Sequence, residues 1–308
     1  MKQQSLPCLR LVTVPVVLAL LTASVSPVRA LIFSSTGDPS YNTTAPAGNL
    51  AGSGWQYQGL WNGFLGTPVS SRHFITARHI GGSVGQTFSF NGASYTTTAV
   101  HSNGTDLNIW EVAETFSTFA PLYTGGNETG RDVVLFGRGT QRGAEVWVDG
   151  ELKGWQWGAA DGALRWGENT VAGTYGSLIR FTFDQSAGGN EVHLSTGDSG
   201  GAIFIEDGGI WKLAGINYAV DGPWKLTVDG PSFNAAIFDR GGLYRGGTYY
   251  PDSPTDNPSS FYATPISANH AWISSVTLVP VPEPSVVGLL GMGAGVLAWR
   301  LIRRRGNG

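Results

Sequence analysis

The sequence predicts an all-β fold, and three observations carry that prediction. The chain holds 45 glycines, 16 prolines, 11 tryptophans, 10 tyrosines and 14 phenylalanines in 308 residues, with 13% charged; this is the make-up of short strands joined by tight turns. Alternating runs recur, as where Gln86–Phe90 and Ser94–Val100 flank Asn91-Gly92, the residue pair that a type I′ hairpin turn demands. No long stretch with a 3.6-residue apolar period occurs before the C-terminal part.

Taken in order, the chain begins with Lys2 and Arg10, an apolar run from Leu11 to Leu21, and the small-residue site Pro27-Val28-Arg29-Ala30. That layout is a secretory signal peptide, residues 1–30, cut after Ala30; as a permanent anchor the run is shorter than the ~20 residues a span needs. The only cysteine, Cys8, falls within it, so the mature chain has no disulfide and must rely on its core, which about 250 residues can supply. Residues 31–52 are rich in Ser, Thr, Gly, Asn and Pro and read as an extended lead-in, with ordered structure expected from Trp55-Gln56-Tyr57 onward. One domain is expected over 53–277. After it come a stiff proline linker, 278–284, and an apolar run, Ser285–Trp299, closed by Arg300-Leu301-Ile302-Arg303-Arg304-Arg305. Through Ile302 this tail is just long enough to span a membrane, with its arginines on the cytoplasmic side. A net charge of −3 gives no basic face, which argues against a nucleic-acid partner. Neither a Cys/His ligand cluster nor a phosphate loop is visible, so no metal or cofactor is expected.

The chemistry concentrates in Ser195-Thr196-Gly197-Asp198-Ser199-Gly200-Gly201-Ala202. Glycines around a Ser-Asp pair let backbone N–H groups converge on a small space beside a serine oxygen. Acyl transfer needs that pairing of nucleophile and N–H donors, although the same residues also make an ordinary polar turn. Upstream, the strand-like Phe74–Ala77 delivers His79, and Asp106 precedes the alternating run Leu107–Trp110. These supply a base and an acid.

Together, Thr76-Ala77-Arg78-His79, Asp106-Leu107-Asn108-Ile109 and Gly197-Asp198-Ser199-Gly200-Gly201 resemble, in that order, the hallmark segments of trypsin/chymotrypsin-like serine peptidases. The resemblance covers residues 53–277. It implies two packed six-stranded antiparallel Greek-key barrels with a C-terminal helix, and an exported serine endopeptidase acting on polypeptides. His79, Asp106 and Ser199 would be catalytic, and the N–H groups of Gly197 and Ser199 would form the oxyanion hole. Phe64–Val69 resembles the segment before the histidine strand, with Leu65 and Ile80 standing where relatives often have a disulfide. Asp132–Thr140 resembles the strand opening the second barrel, and residues 144–185 its hairpins. Ile210–Ala219 and Ser232–Phe238 resemble the strands lining the specificity pocket, and Pro265–Val276 the terminal helix. The pocket is expected to use His193 at its base with Asn217, Tyr218 and Ala219. His193 is no acid, which leaves a Lys/Arg preference unsupported. Asn217 stands where glutamyl-specific relatives tend to have histidine, so an acidic or polar preference is open. His73, His101 and His270 read as surface or helix residues.

Three departures from the family pattern stand out. Arg78 takes the place of a small residue and must reach solvent or a partner. His79 and Asp106 are only 27 residues apart, short for the family, whereas the 93 from Asp106 to Ser199 are typical; a trimmed hairpin accounts for the difference. No family-type activation site is visible. In animal enzymes of the family a new N-terminus pairs with the acid before the serine, here Asp198. Leu31-Ile32 could supply one, but an internal partner is the expectation, so that lengthening the mature N-terminus should leave activity intact.

The tail resembles a PEP-CTERM sorting signal, with Pro282-Glu283-Pro284, a hydrophobic helix over 285–302 and a basic end. That resemblance implies processing by an exosortase-like sorting peptidase at the inner membrane of a Gram-negative bacterium, and display on the periplasmic side, the cell surface or the extracellular matrix. A permanent C-terminal anchor is the alternative. For the domain itself, the rivals to a peptidase are a catalytically silent surface- or matrix-binding domain and an esterase.

Overall fold

The Asn91-Gly92 turn forms as its sequence requires. Both residues hold positive φ, 48° and 75°, and Thr87–Phe90 pairs with Ala93–Ser102 across it. The computed structural model describes residues 31–278; the signal-peptide reading of 1–30 and the sorting-tail reading of 279–308 lie outside the described residues. Among the described residues no helix is long and apolar enough to cross a membrane.

After β1 (Ile32–Phe33), six strands follow: β2 (Gly59–Trp61), β3 (Phe64–Ser70), β4 (His73–Ala77), β5 (Thr87–Phe90), β6 (Ala93–Ser102) and β7 (Leu107–Val112). They close an antiparallel barrel in the order β2-β3-β4-β7-β6-β5. The short spacing between His79 and Asp106 is explained here, because only the β5–β6 hairpin and its flanking loops separate them.

Next come β8 (Asp132–Gly137), β9 (Thr140–Val148), β10 (Glu151–Ala160), β11 (Arg165–Tyr175), β12 (Leu178–Thr182) and β13 (Val192–His193). Then follow β14 (Ala202–Asp207), β15 (Ile210–Val220), β16 (Ala235–Ile237), β17 (Tyr244–Arg245), β18 (Thr248–Tyr249), β19 (Ser260–Pro265) and the helix α1 (His270–Thr277). A second closed barrel runs β11-β12-β19-β15-β14-β8. The chain therefore has the two six-stranded barrels and short C-terminal helix that the resemblance implied.

Three expectations are corrected. The β9–β10 hairpin is not part of the second barrel; with β16 it forms a separate three-stranded sheet. Ser232–Phe238, expected to line the specificity pocket, instead supplies β16 to this sheet and is absent from the lining of the pocket beside Ser199, while β15 pairs with β19. The cause is local: Gly154 lacks a Cβ that would lie 2.1 Å from the Ala236 carbonyl oxygen, which lets β10 and β16 approach, while β19 pairs with β15 on one side and β12 on the other. Third, the lead-in is ordered from its start. Leu31, Ile32 and Phe33 are buried, β1 pairs with β13, and Arg142 Nε donates to the Phe33 carbonyl at 2.7 Å.

The main core joins the barrels. Trp61, Phe74 and Trp110 of the first lie in one buried cluster with Phe136, Phe204 and Ile216 of the second, and Ile266 and Ile273 bring the C-terminal segment into it. Burying each such side chain contributes ~1.5–3 kcal/mol. Leu65 and Ile80 are both in this cluster, so apolar packing fills the place where a disulfide was considered.

Candidate active site

Strand β4 ends in a single 3-10 turn, Arg78–Ile80, which turns His79 outward. Asp106 fixes this turn three ways. Its carbonyl accepts from Arg78 N–H at 3.1 Å, Oδ1 accepts from His79 N–H at 2.9 Å, and Oδ2 stands 2.7 Å from His79 Nδ1. The loop before Asp106 is itself held, since Asn103 Nδ2 donates to Asn269 Oδ1 at 2.8 Å and Thr105 N–H donates to Asn103 Oδ1 at 3.1 Å. On the other ring edge, His79 Nε2 lies 2.7 Å from Ser199 Oγ. The three side chains thus form one hydrogen-bonded line, with two members from the first barrel and the third from the second. Arg78 is exposed to solvent. Tyr218 sets its ring edge-on to His79, with centroids 5.8 Å apart.

The loop carrying Ser199 is tied from behind. Asp198 N–H donates to Ser195 O, Gly200 N–H to Asn217 O and Gly201 N–H to Asp198 O. Among the described residues the N–H groups of Gly197 and Ser199 have no acceptor. Gly197 holds φ 93° and packs so closely that a Cβ there would lie 2.7 Å from Gly139 Cα. A serine oxygen within reach of a histidine nitrogen, next to two free N–H donors, can attack a carbonyl and stabilise the oxyanion that results.

Asp198 is fully buried. It accepts Gly139 N–H at 2.7 Å on Oδ1, and Ser195 N–H at 2.7 Å and Ser195 Oγ–H at 2.9 Å on Oδ2. Leu31 N–H bonds the same carboxylate. Burial pushes the carboxyl up to about 6 against the pull of these donors, because no cation is in contact with it. Cleavage after Ala30 would turn the Leu31 nitrogen into an ammonium at that spot. Leu31 thus joins Gly139 and Ser195 as an internal partner of Asp198, as expected, and only if the chain is cut after Ala30 would residues placed before Leu31 take a charge away from it.

The pocket beside Ser199 encloses about 180 Å³ and is lined by Trp157, Leu194–Thr196, Ser199 and Asn217–Val220. Asn217, Tyr218 and Ala219 were expected there. His193 is not among the lining residues. It is fully buried between Phe183 and Phe261, with Nδ1 2.6 Å from Leu194 O and Nε2 3.2 Å from Ser259 Oγ. Burial lowers its pKa to about 4 and keeps it neutral. The reason is the lead-in, because His193 pairs with Ile32 as part of β13 and its ring fills the core on that side. Trp157 was not foreseen in the pocket, since it reaches the site on the separate sheet. Its Trp-rich hairpin was visible in the sequence, but its pairing with β16 was not. Of the remaining histidines, His73 bonds Ser70 Oγ at 2.8 Å and His270 opens α1.

A family model for the PEP-CTERM protein-sorting motif matches residues 280–305, so the chain carries a protein-sorting motif at its C-terminal end. No curated protein matches the sequence. Among solved structures the chain is similar to a mutant of human heparin binding protein, with 15% identity and a TM-score of 0.47 over 76% of this chain and 96% of that one. The two-barrel fold stands on its own strand order.

Proposed function

We propose that the chain is an exported serine hydrolase that cleaves peptide bonds through an acyl-enzyme. The observation carrying this reading is the Asp106–His79–Ser199 line, with 2.7 Å at both of its side-chain contacts. Ser199 Oγ attacks the scissile carbonyl while His79 Nε2 takes its proton and then passes it to the leaving amine. Asp106 holds Nδ1–H, fixing the tautomer, and stabilises the imidazolium. The N–H groups of Gly197 and Ser199 receive the oxyanion, a contribution of ~3–4 kcal/mol per donor in such sites. Water then repeats the attack on the ester. The domain layout of 53–277 followed by linker and tail fits delivery across the inner membrane, with an exosortase-like peptidase acting at the tail.

The test is labelling of residues 31–278, with Leu31 first, by a fluorophosphonate probe beside Ser199→Ala and His79→Ala. Labelling of the unaltered chain alone is expected. A folded chain that takes up no label would defeat the proposal and favour a silent binding domain.

A further inference from the structure

Strand β15 carries one extra residue where it passes the Asp106–His79–Ser199 line. Asn217 pairs with Ala263 of β19 and Ala219 pairs with the adjacent Tyr262, so Tyr218 stands between them as the unpaired residue of a β-bulge. A bulge bends its strand and re-aims a side chain. This one directly follows the grip on the nucleophile loop, since Asn217 O accepts from Gly200 N–H at 3.1 Å and Asn217 N–H donates to Gly201 O at 2.9 Å. The Tyr218 backbone is thereby tied to the Ser199 loop in the second barrel. Its ring, in contrast, meets His79 of the first barrel, with centroids 5.8 Å apart and planes at 66°. That is T-shaped geometry at a separation where aromatic pairs attract. The contact is ring to ring, with no bond through the phenol oxygen among the described residues.

The His79 side chain is 40% exposed. Its two side-chain bonds, from Nδ1 to Asp106 and from Nε2 to Ser199, hold the nitrogens. The Ser199 bond is also transient. Once Oγ is tied up in an ester it has no proton to share, and Nε2 must stay in place to take a proton from water. Resting on the hydrolase reading of the same site, we infer that Tyr218 is a positioning residue for His79. It gives the second barrel a hold on the imidazole that does not pass through Ser199, and so keeps Nε2 on the reacting line throughout the cycle.

Tyr218 also lines the pocket beside Ser199, so a peptide substrate would read two roles at once. Diisopropyl fluorophosphonate carries no amino-acid side chain. With it, Ser199 Oγ displaces fluoride from phosphorus while His79 takes the serine proton. Labelling rates are compared among the unaltered chain, Tyr218→Ala and Tyr218→Phe. Tyr218→Ala is expected to slow labelling by ~5–10-fold, and Tyr218→Phe, which keeps the ring, to regain most of that loss. In the same three chains, NMR relaxation gives the order parameter of the His79 ring C–H bonds. It should fall in Tyr218→Ala and recover in Tyr218→Phe. Labelling of Tyr218→Ala at the unaltered rate, Tyr218→Phe as slow as Tyr218→Ala, or a His79 ring equally ordered without the tyrosine would each overturn the inference. An unaltered chain that takes no label, but whose His79 ring loosens in Tyr218→Ala, sinks the hydrolase reading and leaves the positioning contact standing. Labelling of the unaltered chain with an unmoved His79 ring in Tyr218→Ala does the reverse.

Discussion

Placing three residues ahead of Leu31 is expected to silence Ser199. Asp198 is fully buried and its carboxyl is raised from an ordinary 3.8 to about 6, so with only neutral donors around it the anion is disfavoured by about 3 kcal/mol at neutral pH. An α-ammonium at Leu31 would put a positive charge in direct contact with it. Leaving a buried charge without its partner costs about 3–5 kcal/mol. Part of that cost should fall on the Gly197–Ser199 backbone, because Asp198 lies between the two free N–H groups. A loss of ~3–4 kcal/mol in the reactive arrangement corresponds to a drop of ~10²–10³ in rate. The assay compares fluorophosphonate labelling rates of a chain beginning at Leu31 and one carrying Gly-Ser-Met before it, both checked to be folded at the assay temperature by a cooperative unfolding transition above it. Asp198→Asn in each should abolish the difference. The sign with pH follows from both groups. The ion pair needs both charges, so its advantage is lost at acid pH as the Asp198 carboxylate takes up a proton, and at the alkaline end it fades as pH rises through the amine's value in the folded state. Equal labelling of both chains at neutral pH would refute the reasoning and return Asp198 to purely internal partners.

Other outcomes follow from the same packing and electrostatics. Asp106→Asn should leave the fold intact and lower turnover by ~10⁴, since the amide supports the wrong histidine tautomer; steady-state kinetics checks it. Glu191 is buried and its carboxyl is raised to about 8, so between ~4.5 and 8 the unfolded chain holds fewer protons than the folded one and stability should fall as pH rises. Glu191→Gln, whose Oε1 can still accept from Asn169 Nδ2 and Asp184 N–H, should raise the melting temperature at pH 8 and change it little at pH 4. Lys153 is buried with its ammonium 2.6 Å from the buried Asp239 and within 3.0 Å of Glu151 and Asp252. Lys153→Met should cost ~3–5 kcal/mol in denaturant unfolding, and adding Asp239→Asn should return much of it. Gly201→Ala would set a Cβ 2.0 Å from the Phe136 carbonyl oxygen and should destabilise the domain by at least ~1–3 kcal/mol, read as a fall in melting temperature.

What the sequence disclosed was what depends on local chemistry. Asn91-Gly92 specifies its turn whatever surrounds it, and the residues flanking His79, Asp106 and Ser199 place each at a strand end or glycine turn. Long-range pairing was not legible. Thr140–Ala160 reads as a hairpin in either setting, and nothing local says that its partner is Ala235–Ile237 rather than the barrel. That choice rests on the approach at Gly154 and on β19 already occupying the edge of β15. The polar composition of residues 31–52 concealed three buried residues at its head, since Leu31-Ile32-Phe33 is too short a run to show a period. His193 was misplaced for the same reason. Its role in the pocket was inferred from its distance to Ser199 along the chain, while its orientation is set by pairing with Ile32, more than 150 residues earlier.

The 2.7 Å contact between His79 and Ser199 spans two barrels, so its upkeep is a packing problem before it is a chemical one. The seam is tight at Gly200, where a Cβ would lie 2.5 Å from both the Leu65 carbonyl oxygen and Thr76 Oγ1. Thr76 Oγ1 in turn donates to that carbonyl at 2.7 Å, leaving no buried polar atom unpaired at that contact. Behind it, residues of both barrels share one aromatic-rich core, and interiors packed to that density do not slide by small amounts. Among the described residues there is no cysteine with which to bolt the barrels together. What joins them is this close-packed seam, together with the buried segment Leu31–Phe33, where the Leu31 N–H reaches Asp198. Alignment of Ser199 with His79 therefore depends on elements far from both. Weakening the seam, as Gly200→Ala would by adding a methyl group at φ 77°, should lower turnover through loss of that alignment well before it unfolds the domain.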